Sequence, residues 1–541
     1  MCLKRIFLIF LCLLLIIFSW KQWNISIKNF NFKSVKVSHN LIESSLKNDS
    51  QINNVHVKTD VMNVIINLSN GNIKEIKLLQ YQEHLNSFKK FILFNKQKTS
   101  IYKIQEGLLS NESLKFIDKN YAINFKHYKL ANDQKILRVP VEFVSKNGVQ
   151  YIKNFIFKRG SYDIQIEYYI HNLNIFSVNL NLFGKIQEKF LIQKKKNIFH
   201  ISSNTNHLSN ISYYSDNNKY NKFSFDDIYR GRNIKIFSHD GWIGSSQKYF
   251  IISWIMNPKN QNMMHAYYLH DNQVVIEYHT LDISIFSGQK KILRSILWAG
   301  PKIQHKMSLI NSSLGLSIDY GFLWFLSRPC FLFLNILHNI TGNWGISIII
   351  ITFIMRFLMY PLTKFQYLTI AKIKSLQPQI NTLKEKFKND TVRLNQFVLK
   401  LYKDENIHPL GGFLPVLIQM PIFLSLYSML VNSIELRHSP FLFWIYDLSD
   451  RDPFYILPII MGITTFYIQK TSPPDLVKND SRTQNIMNLV PIFLSFIFLW
   501  FPSGLVLYYL VGNIVTIIQQ IIIYKEFQNI KKNKKNNTIL K

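Results

Sequence analysis

The sequence predicts an α+β membrane protein with six transmembrane helices and one large, mostly antiparallel β-sandwich. The chain has 541 residues, of which 48% are hydrophobic and 14% aromatic. Long apolar runs dominate residues 320–524, whereas apolar and polar residues are mixed over residues 24–318, as in a water-facing domain. This contrast predicts one domain in water and one in a bilayer.

The N-terminus has the pattern of a membrane anchor. It reads MCLKRIFLIFLCLLLIIFSWKQW, in which two basic residues precede a long apolar run. Residues 19–21, SWK, offer no cleavage site for a signal peptidase, and the tryptophans suit a membrane interface. We therefore predict an uncleaved transmembrane anchor over residues 1–23, with Lys4 and Arg5 in the cytoplasm.

Residues 24–318 have the periodicity and turn signals of β-strands. Two Asn-Gly pairs, Asn70-Gly71 and Asn147-Gly148, lie between apolar stretches, as type I′ hairpin turns do. This region contains no cysteine, so it folds without disulfides. Five apolar residues alternate along YDIQIEYYI: Tyr162, Ile164, Ile166, Tyr168 and Ile170.

Apolar length and charge predict the C-terminal topology. The block 364–408 has nine Lys or Arg against four Asp or Glu, and the tail after Tyr524 is also basic, which places both in the cytoplasm. The segment 319–343 is predicted to be an amphipathic helix lying on the outer face, because a span there would reverse that orientation. The five predicted spans are 344–363, 412–432, 453–470, 486–501 and 504–524.

Between the first two of these spans, apolar residues recur at helical spacing within the basic block. We predict two short helices paired as a hairpin over residues 364–408; a solvated charged loop is the alternative. The apolar seam would consist of Ile373, Leu376, Ile380, Leu383, Phe387, Leu394, Phe397, Val398 and Leu401.

Arg356 lies in the apolar run SIIIITFIMRFLMYP and cannot lose its charge. An arginine at mid-helix costs roughly 2.5–3.5 kcal/mol on translocon scales, yet no other predicted C-terminal span contains Asp or Glu. Uncharged polar residues could instead line a wet cavity around it; snorkelling to the cytoplasmic headgroups is the alternative. The polar residues are Thr352, Gln419, Ser425, Tyr427, Ser428, Thr464, Thr465, Tyr508, Tyr509, Asn513, Thr516, Gln519 and Gln520.

Several motifs occur in a familiar order: WGISIIIITFIMRFLMYPLTKFQY, LQPQINTLKEKFKND, HPLGGFLPVLIQMPIFLSLYSML, ILPIIMGITTFYIQK and LWFPSGLVLYYLVGNIVTIIQQ. Over residues 340–526 the chain closely resembles the YidC family of membrane protein insertases, in its Gram-negative form. The resemblance is looser over the preceding domain, where residues 240–255 match best. The chain departs from the family pattern at His408-Pro409 and at Gly412-Phe413.

The resemblance implies a periplasmic antiparallel β-super-sandwich over residues 24–318, a five-helix insertase core over 344–526 and a basic cytoplasmic tail over 527–541. It also implies a hydrophilic groove that is open to the cytoplasm and to lipid. Substrate segments would slide along the third and fifth spans. The groove would contain Thr352, Arg356, Gln419, Tyr508 and Tyr509, and the sliding surface Met420, Phe423 and Tyr427.

The implied activity is insertion of nascent membrane proteins into the inner membrane, alone or with the Sec translocon, by a monomer in contact with membrane lipid. The basic tail could bind ribosomal RNA or anionic lipid. A small-solute transporter and a structural assembly factor of the translocon remain alternatives. We predict no enzyme, cofactor or metal site, because GxSxG and HExxH are absent and the histidines are scattered.

The net charge of +32 is not evidence for nucleic-acid binding as the main function. Lys, Asn and Ile are abundant in every part of the chain, which indicates a general compositional bias. Only the position of a charge block is informative.

Overall fold

The computed structural model describes residues 54–85, 87–94, 102–110, 121–144, 149–189, 210–387, 390–405, 407, 414–471 and 481–539. Within these, the chain divides between Asp319 and Tyr320 into a β-rich unit and a helical unit. The predicted anchor over residues 1–23 and the predicted turn at Asn147-Gly148 lie outside the described residues.

The β-rich unit contains nineteen strands among the described residues. The strands are β1 (Asn54–Lys58), β2 (Met62–Asn67), β3 (Asn72–Gln82), β4 (Lys90–Phe94), β5 (Tyr102–Ser110), β6 (His127–Lys129), β7 (Ile136–Val144), β8 (Val149–Lys158), β9 (Asp163–Asn172), β10 (Val178–Lys189), β11 (Asn210–Ser215), β12 (Lys219–Ser224), β13 (Ile234–Ser238), β14 (Gly241–Ser246), β15 (Phe250–Ile255), β16 (Asn262–Leu269), β17 (Gln273–Thr280), β18 (Ile283–Ile285) and β19 (Lys290–Pro301). Two short helices accompany them, α1 (Phe225–Tyr229) and α2 (Gln304–Ser308).

These strands form three sheets. An eight-stranded sheet has the order β12-β11-β14-β15-β19-β9-β8-β7, and a five-stranded sheet has the order β4-β3-β2-β1-β6. A six-stranded sheet runs β13-β16-β17-β10-β18, with β5 also paired to β10. The pairing is antiparallel, as predicted, except between β1 and β6, which are parallel. The exception requires a long connection, which the intervening strands provide.

Aromatic side chains fill the space between the six-stranded and eight-stranded sheets. Trp254 of β15 contacts Tyr278 of β17, with ring centroids 6.0 Å apart. A side chain at Gly184 of β10 would collide with both rings, because a Cβ there would lie 2.6 Å from Trp254. The predicted strand along YDIQIEYYI is confirmed by β9, and the five alternating apolar residues, of which Tyr162 directly precedes the strand, are all buried; Asp163 and Glu167 between them are buried as well.

The prediction of a type I′ turn at Asn70-Gly71 is wrong. Strand pairing ends at Asn67 and Asn72, so the loop has four residues rather than two. Gly71 has a φ of +63°, but Asn70 is not among the residues with positive φ, which type I′ requires. Two asparagine side chains hold the loop instead: Asn67 Oδ1 accepts from Ser69 N at 2.8 Å and Asn70 Oδ1 from Asn72 N at 3.0 Å.

The helical unit follows. Its helices are α3 (Trp324–Thr341), α4 (Trp344–Leu358), α5 (Tyr360–Ser375), α6 (Gln377–Lys386), α7 (Thr391–Asp404), α8 (Leu414–Asn432), α9 (Ile456–Thr471), α10 (Ser481–Phe498) and α11 (Ser503–Ile539). The predicted interfacial segment contains α3, which exposes large apolar residues that include Phe325, Leu332 and Ile336.

Two of the predicted spans correspond to helices with different ends. The predicted span 344–363 contains all of α4 and the start of α5, and these two helices meet at an angle of 60° after Leu358. Pro361, in the first turn of α5, lacks the N–H that would continue the helix across this point. The last predicted span, 504–524, lies within α11, which continues to Ile539 and includes much of the basic tail.

Among the described residues, only α11 is by itself both long and apolar enough to cross a membrane, over Ser503–Ile530. The bent pair α4–α5 meets the same criterion if it is counted as one span. A shorter apolar helix covers Leu417–Asn432.

The helices of the basic block contact each other through apolar residues. Leu376, Ile380, Tyr402 and Ile407 form a buried cluster, against which Ile373, Val398 and Leu401 pack. Directly after α6, the ring of Phe387 stacks on that of Phe397 in α7, with centroids 4.9 Å apart. The seam therefore begins in α5, which carries Ile373, rather than in a separate short helix.

Candidate substrate groove around Arg356

Arg356 lies in the last turn of α4, where a positive charge is favourable. The helix begins at the N-cap Asn343, whose Oδ1 accepts from Gly345 N at 2.8 Å and Ile346 N at 3.2 Å. The C-terminal end of a helix carries a partial negative charge of about half an elementary charge, so the macrodipole attracts the guanidinium. This interaction offsets part of the cost of an arginine in an apolar helix.

The half-buried side chain of Arg356 packs on the backbone of α11. A Cβ built at Gly512 would lie 2.7 Å from Arg356 Nη2 and 3.1 Å from Nε. Seven residues later, Gln519 Nε2 donates to the carbonyl oxygen of Arg356 at 3.3 Å. Arg356 Nε is buried without a hydrogen-bond partner among the described residues, which also give Arg356 no ion pair with a carboxylate.

The remaining predicted groove residues of α4 and α11 are Thr352, Tyr508 and Tyr509. Tyr508 and Tyr509 are both within electrostatic range of the Arg356 charge; Tyr508 is buried and Tyr509 half-buried. Thr352 lies one turn before Arg356, but it is fully buried, and its hydroxyl donates to the Ile348 carbonyl oxygen at 2.6 Å. Its hydrogen-bonding capacity is therefore partly used within its own helix.

The predicted residues of α8 are half-buried: Gln419, Met420, Phe423 and Tyr427. Two of them contact rings outside α8. Phe423 meets Tyr509 edge-on with centroids 6.0 Å apart, and Tyr427 meets Phe501 edge-on at 5.6 Å. The ring of Phe498 lies 5.1 Å from that of Tyr509 and 5.2 Å from that of Phe501. These five rings form an aromatic cluster that links α8, α10 and the start of α11.

One face of α10 exposes a continuous apolar stripe. Its residues are spaced by three and four positions, so they share one side of the helix. Each is between 57% and 63% exposed, which is unusual for large apolar side chains outside a lipid or protein interface. The stripe consists of Leu489, Ile492, Phe493 and Phe496.

Part of the polar set that could line a wet cavity is bonded between helices instead. Asn513 Nδ2 donates to Thr464 Oγ1 at 3.1 Å and to Thr465 Oγ1 at 2.9 Å, which joins α11 to α9. Thr471 Oγ1 donates to Gln520 Oε1 at 3.1 Å between the same two helices. These groups contribute to helix packing. Arg356, in contrast, contacts Gly512 and Gln519, and its charge is within electrostatic range of Tyr367, Tyr508 and Tyr509.

Sequence reasoning overlooked Gly512 and the rings of Phe498 and Phe501. A glycine inside a long helix lowers helix propensity and is a signal of close packing, and VGNIV contains one. Its neighbour, however, is more than 150 positions away along the chain, so the contact with Arg356 could not be read from local spacing.

Two family models match the chain. The model described as "60Kd inner membrane protein" matches residues 336–532, and the model described as "YidC periplasmic domain" matches residues 54–333. The membrane protein insertase YidC of Buchnera aphidicola subsp. Acyrthosiphon pisum (strain APS) is 44% identical over 538 residues, which cover 98% of this chain and 99% of that protein. The chain belongs to the YidC family.

Other YidC proteins are similar over most of the chain. The membrane protein insertase YidC of Wigglesworthia glossinidia brevipalpis is 41% identical over 488 residues, 89% of each chain. A solved structure titled "Active YidC insertase crystal structure with the first transmembrane domain resolved" matches with a TM-score of 0.38 and 19% identity, covering 88% of this chain and 93% of that one. The two family models, together with the order of strands and helices, give a YidC-like fold, with a β-rich periplasmic domain followed by a helical C-terminal region.

Proposed function

We propose that this chain is a membrane protein insertase whose groove contains an unpaired positive charge at Arg356. The observation that carries the proposal is the environment of that charge: a half-buried guanidinium without a carboxylate partner in the described chain, in a helix that is otherwise apolar. Intramembrane charges of this kind usually face water or a substrate. The names of the full-length relatives support the same activity.

The proposed topology has six spans, with both termini in the cytoplasm. The first is the anchor over residues 1–23, and the other five are α4 with the start of α5, then α8, α9, α10 and the apolar part of α11. The basic block 364–408 and the basic end of α11 support a cytoplasmic location by the positive-inside rule. The β-rich domain would then be periplasmic, and its sheets would form a super-sandwich.

Insertion by this chain would need no covalent chemistry. A polar tail that crosses hydrocarbon loses several kcal/mol for each unsatisfied backbone group, so a hydrated groove part-way across shortens the costly distance. Arg356 would attract an acidic tail, and the membrane potential supplies roughly 2.3 kcal/mol per charge per 100 mV to draw it outward. The apolar stripe of α10 and the exposed apolar residues of α8 would guide the client helix into lipid.

The proposed partners are nascent membrane proteins, the Sec translocon, the ribosome and membrane lipid, and the proposed active form is a monomer. The basic end of α11 and the helices of the basic block would contact the ribosome through charge. Loss of ribosome co-sedimentation after removal of residues 527–541 would support the tail's part in this contact, and unchanged co-sedimentation would remove it.

Site-specific photo-crosslinking tests the proposed path of the client. We place the probe at Phe423 of α8 or at the exposed Phe493 of α10, and present a short membrane protein on a stalled ribosome. The control probe is at Met429, which is fully buried in α8. We expect crosslinks to the client helix from both Phe423 and Phe493, weakened by Arg356→Ala, and none from Met429. Crosslinks to lipid alone, with unchanged insertion in the Arg356→Ala variant, would contradict the proposal.

A further inference from the structure

Gly512 occupies a position where a side chain and the Arg356 guanidinium cannot both fit without movement. A Cβ there would lie 2.7 Å from Nη2, 3.1 Å from Nε and 3.3 Å from Cζ of Arg356. Real Cβ contacts are essentially never shorter than 3.0 Å. The missing side chain is therefore what lets the planar head of Arg356 rest on the backbone of α11.

The backbone conformation gives no other reason for a glycine at this position. Gly512 is helical and is not among the glycines with positive φ, so any residue could adopt its backbone angles. In a helix interior, glycine is a poorer choice than alanine because it leaves the unfolded chain more freedom. Space for the guanidinium is the remaining advantage that the structure offers.

A second contact from the same face of α11 holds the backbone of Arg356. Gln519 lies seven residues, or about two turns, after Gly512, so the two residues share one face of the helix. Its Nε2 donates to the Arg356 carbonyl oxygen at 3.3 Å. That carbonyl is in the last turn of α4, where helical carbonyls lack intrahelical donors. One face of α11 thus contacts both ends of the same residue.

We infer that Gly512 is a positioning residue that sets where the groove charge lies. With glycine at 512, the guanidinium stays against α11, within electrostatic range of Tyr508 and Tyr509. A side chain there pushes the flexible head of Arg356 away from α11, at little cost to the fold, because the atoms that must move are the end of a long side chain. This inference rests on the proposed function, since the position of the charge matters only if clients are drawn to it.

A size series at position 512 tests this inference. The full-length protein is reconstituted into liposomes with Gly512→Ala, Gly512→Val or Gly512→Leu, each with Arg356 present and in an Arg356→Ala background. Two single-span clients are compared, identical except for an acidic or a neutral translocated tail. The measurement is the protease-protected fraction of each client.

With Arg356 present, we expect insertion of the acidic client to fall as the side chain grows, by about twofold for Ala and about tenfold for Leu. The neutral client should change by less than about twofold. In the Arg356→Ala background the series should be flat, because the colliding group is gone. The thermal midpoint of Gly512→Ala should be equal to or above that of the parent, since alanine is the better helix former.

Equal losses in both backgrounds would overturn the inference, because the side chain would then disturb helix packing rather than the charge. Full insertion by Gly512→Leu with Arg356 present would also overturn it. If the Leu variant does not fold, the trend across Gly, Ala and Val decides in the same way. Failure of the proposed function is separate: it would show as normal insertion of the acidic client by Arg356→Ala alone.

Discussion

The β-rich domain and the helical domain differ in whether a cation withdrawn from water has a carboxylate partner. In the β-rich domain, Lys153 is fully surrounded, and its Nζ lies 2.7 Å from Glu106 Oε2 and 2.8 Å from the Gly71 carbonyl oxygen. In the helical domain, Arg356 is half-buried and has no carboxylate partner in the part of the chain that the structure describes. A paired cation stabilises the fold that holds its carboxylate partner nearby. The electrostatic field of an unpaired cation remains available to attract another molecule.

A third cation shows why the residue type matters. Lys302 is buried in the β-rich domain, and burial, together with the nearby Lys222 ammonium, lowers the pKa of Lys302 to about 7, although Asp319 opposes the shift. A buried lysine can thus find a partner, as Lys153 does, or lose its proton, as Lys302 does near neutral pH. Arginine has no such option, because its guanidinium stays protonated in proteins. An arginine is the residue that keeps a charge in an apolar helix at every physiological pH.

The largest expected effect is on the paired cation. Lys153→Met should destabilise the β-rich domain by about 3–5 kcal/mol, because it leaves the buried Glu106 carboxylate uncompensated. The measurement is the urea midpoint for proteolysis of that domain in the purified full-length protein. Lys77→Met is the matched control, since Lys77 lies 3.7 Å from Glu75 in a pair that is partly exposed to solvent, and it should cost roughly 1 kcal/mol or less.

The double variant Lys153→Met/Glu106→Leu makes this prediction specific. Removing both charges should recover most of the loss, because an apolar pair of similar volume replaces a buried ion pair at little net cost. If the double variant is as unstable as the single one, the lysine acts through its packing and its bond to the Gly71 carbonyl oxygen rather than through the ion pair.

For Arg356, the unpaired cation, we expect a loss of insertion activity without a loss of stability. Arg356→Ala should reduce insertion of an acidic-tailed client by about tenfold, equivalent to about 1.4 kcal/mol, while the thermal midpoint of the protein in detergent stays the same or rises. No stabilising ion pair is lost with Arg356, and the cost of a charge in an apolar helix is removed. Arg356→Lys should retain less activity than the parent, because a lysine without a carboxylate partner can lose its proton in this environment. A large loss of stability with Arg356→Ala would make this arginine structural.

Lys302, whose charge changes near neutral pH, should have a smaller, pH-dependent effect on the stability of the β-rich domain. Because the folded-state pKa of Lys302 is about 7, well below that of an exposed lysine, the unfolded chain binds more protons above pH 7. Stability of the β-rich domain should therefore rise with pH, by about 1 kcal/mol between pH 7 and pH 8 from this residue alone. Lys302→Met should remove that rise. Equal slopes in the two proteins, measured as urea midpoints against pH, would contradict the assignment.

The parts predicted from sequence are those set by local pattern. The alternation along β9 and the apolar seam from Ile373 to Leu401 follow from side-chain periods of about 2 and 3.6 residues. Arg356 was recognisable because one charge in an apolar run is conspicuous without any partner. Where a choice depended on packing, the sequence was insufficient: Asn70-Gly71 became part of a longer loop, and the contact between Arg356 and Gly512 joins two distant helices.

The smallest expected effect concerns Asn513. It distinguishes polar groups that are hydrogen-bonded between helices from polar groups that can contact a client. Asn513 joins α11 to α9 through Thr464 and Thr465, so its amide is already satisfied. Asn513→Ala should lower the stability of the protein in detergent by about 0.6 kcal/mol, the average for hydrogen bonds between membrane helices. It should change insertion of the acidic client by less than twofold.

Thr516→Ala is the matched comparison for this last prediction. Thr516 lies on the same helix, but its hydroxyl donates only to the carbonyl oxygen of Gly512 at 2.8 Å, so its loss breaks no bond between helices. If Asn513→Ala instead reduces insertion several-fold while stability is unchanged, the amide must exchange its threonine partners for water or client. In that case the hydrated part of the groove would extend from Arg356 to α9, and the charge would act over a longer part of the path than its direct contacts suggest.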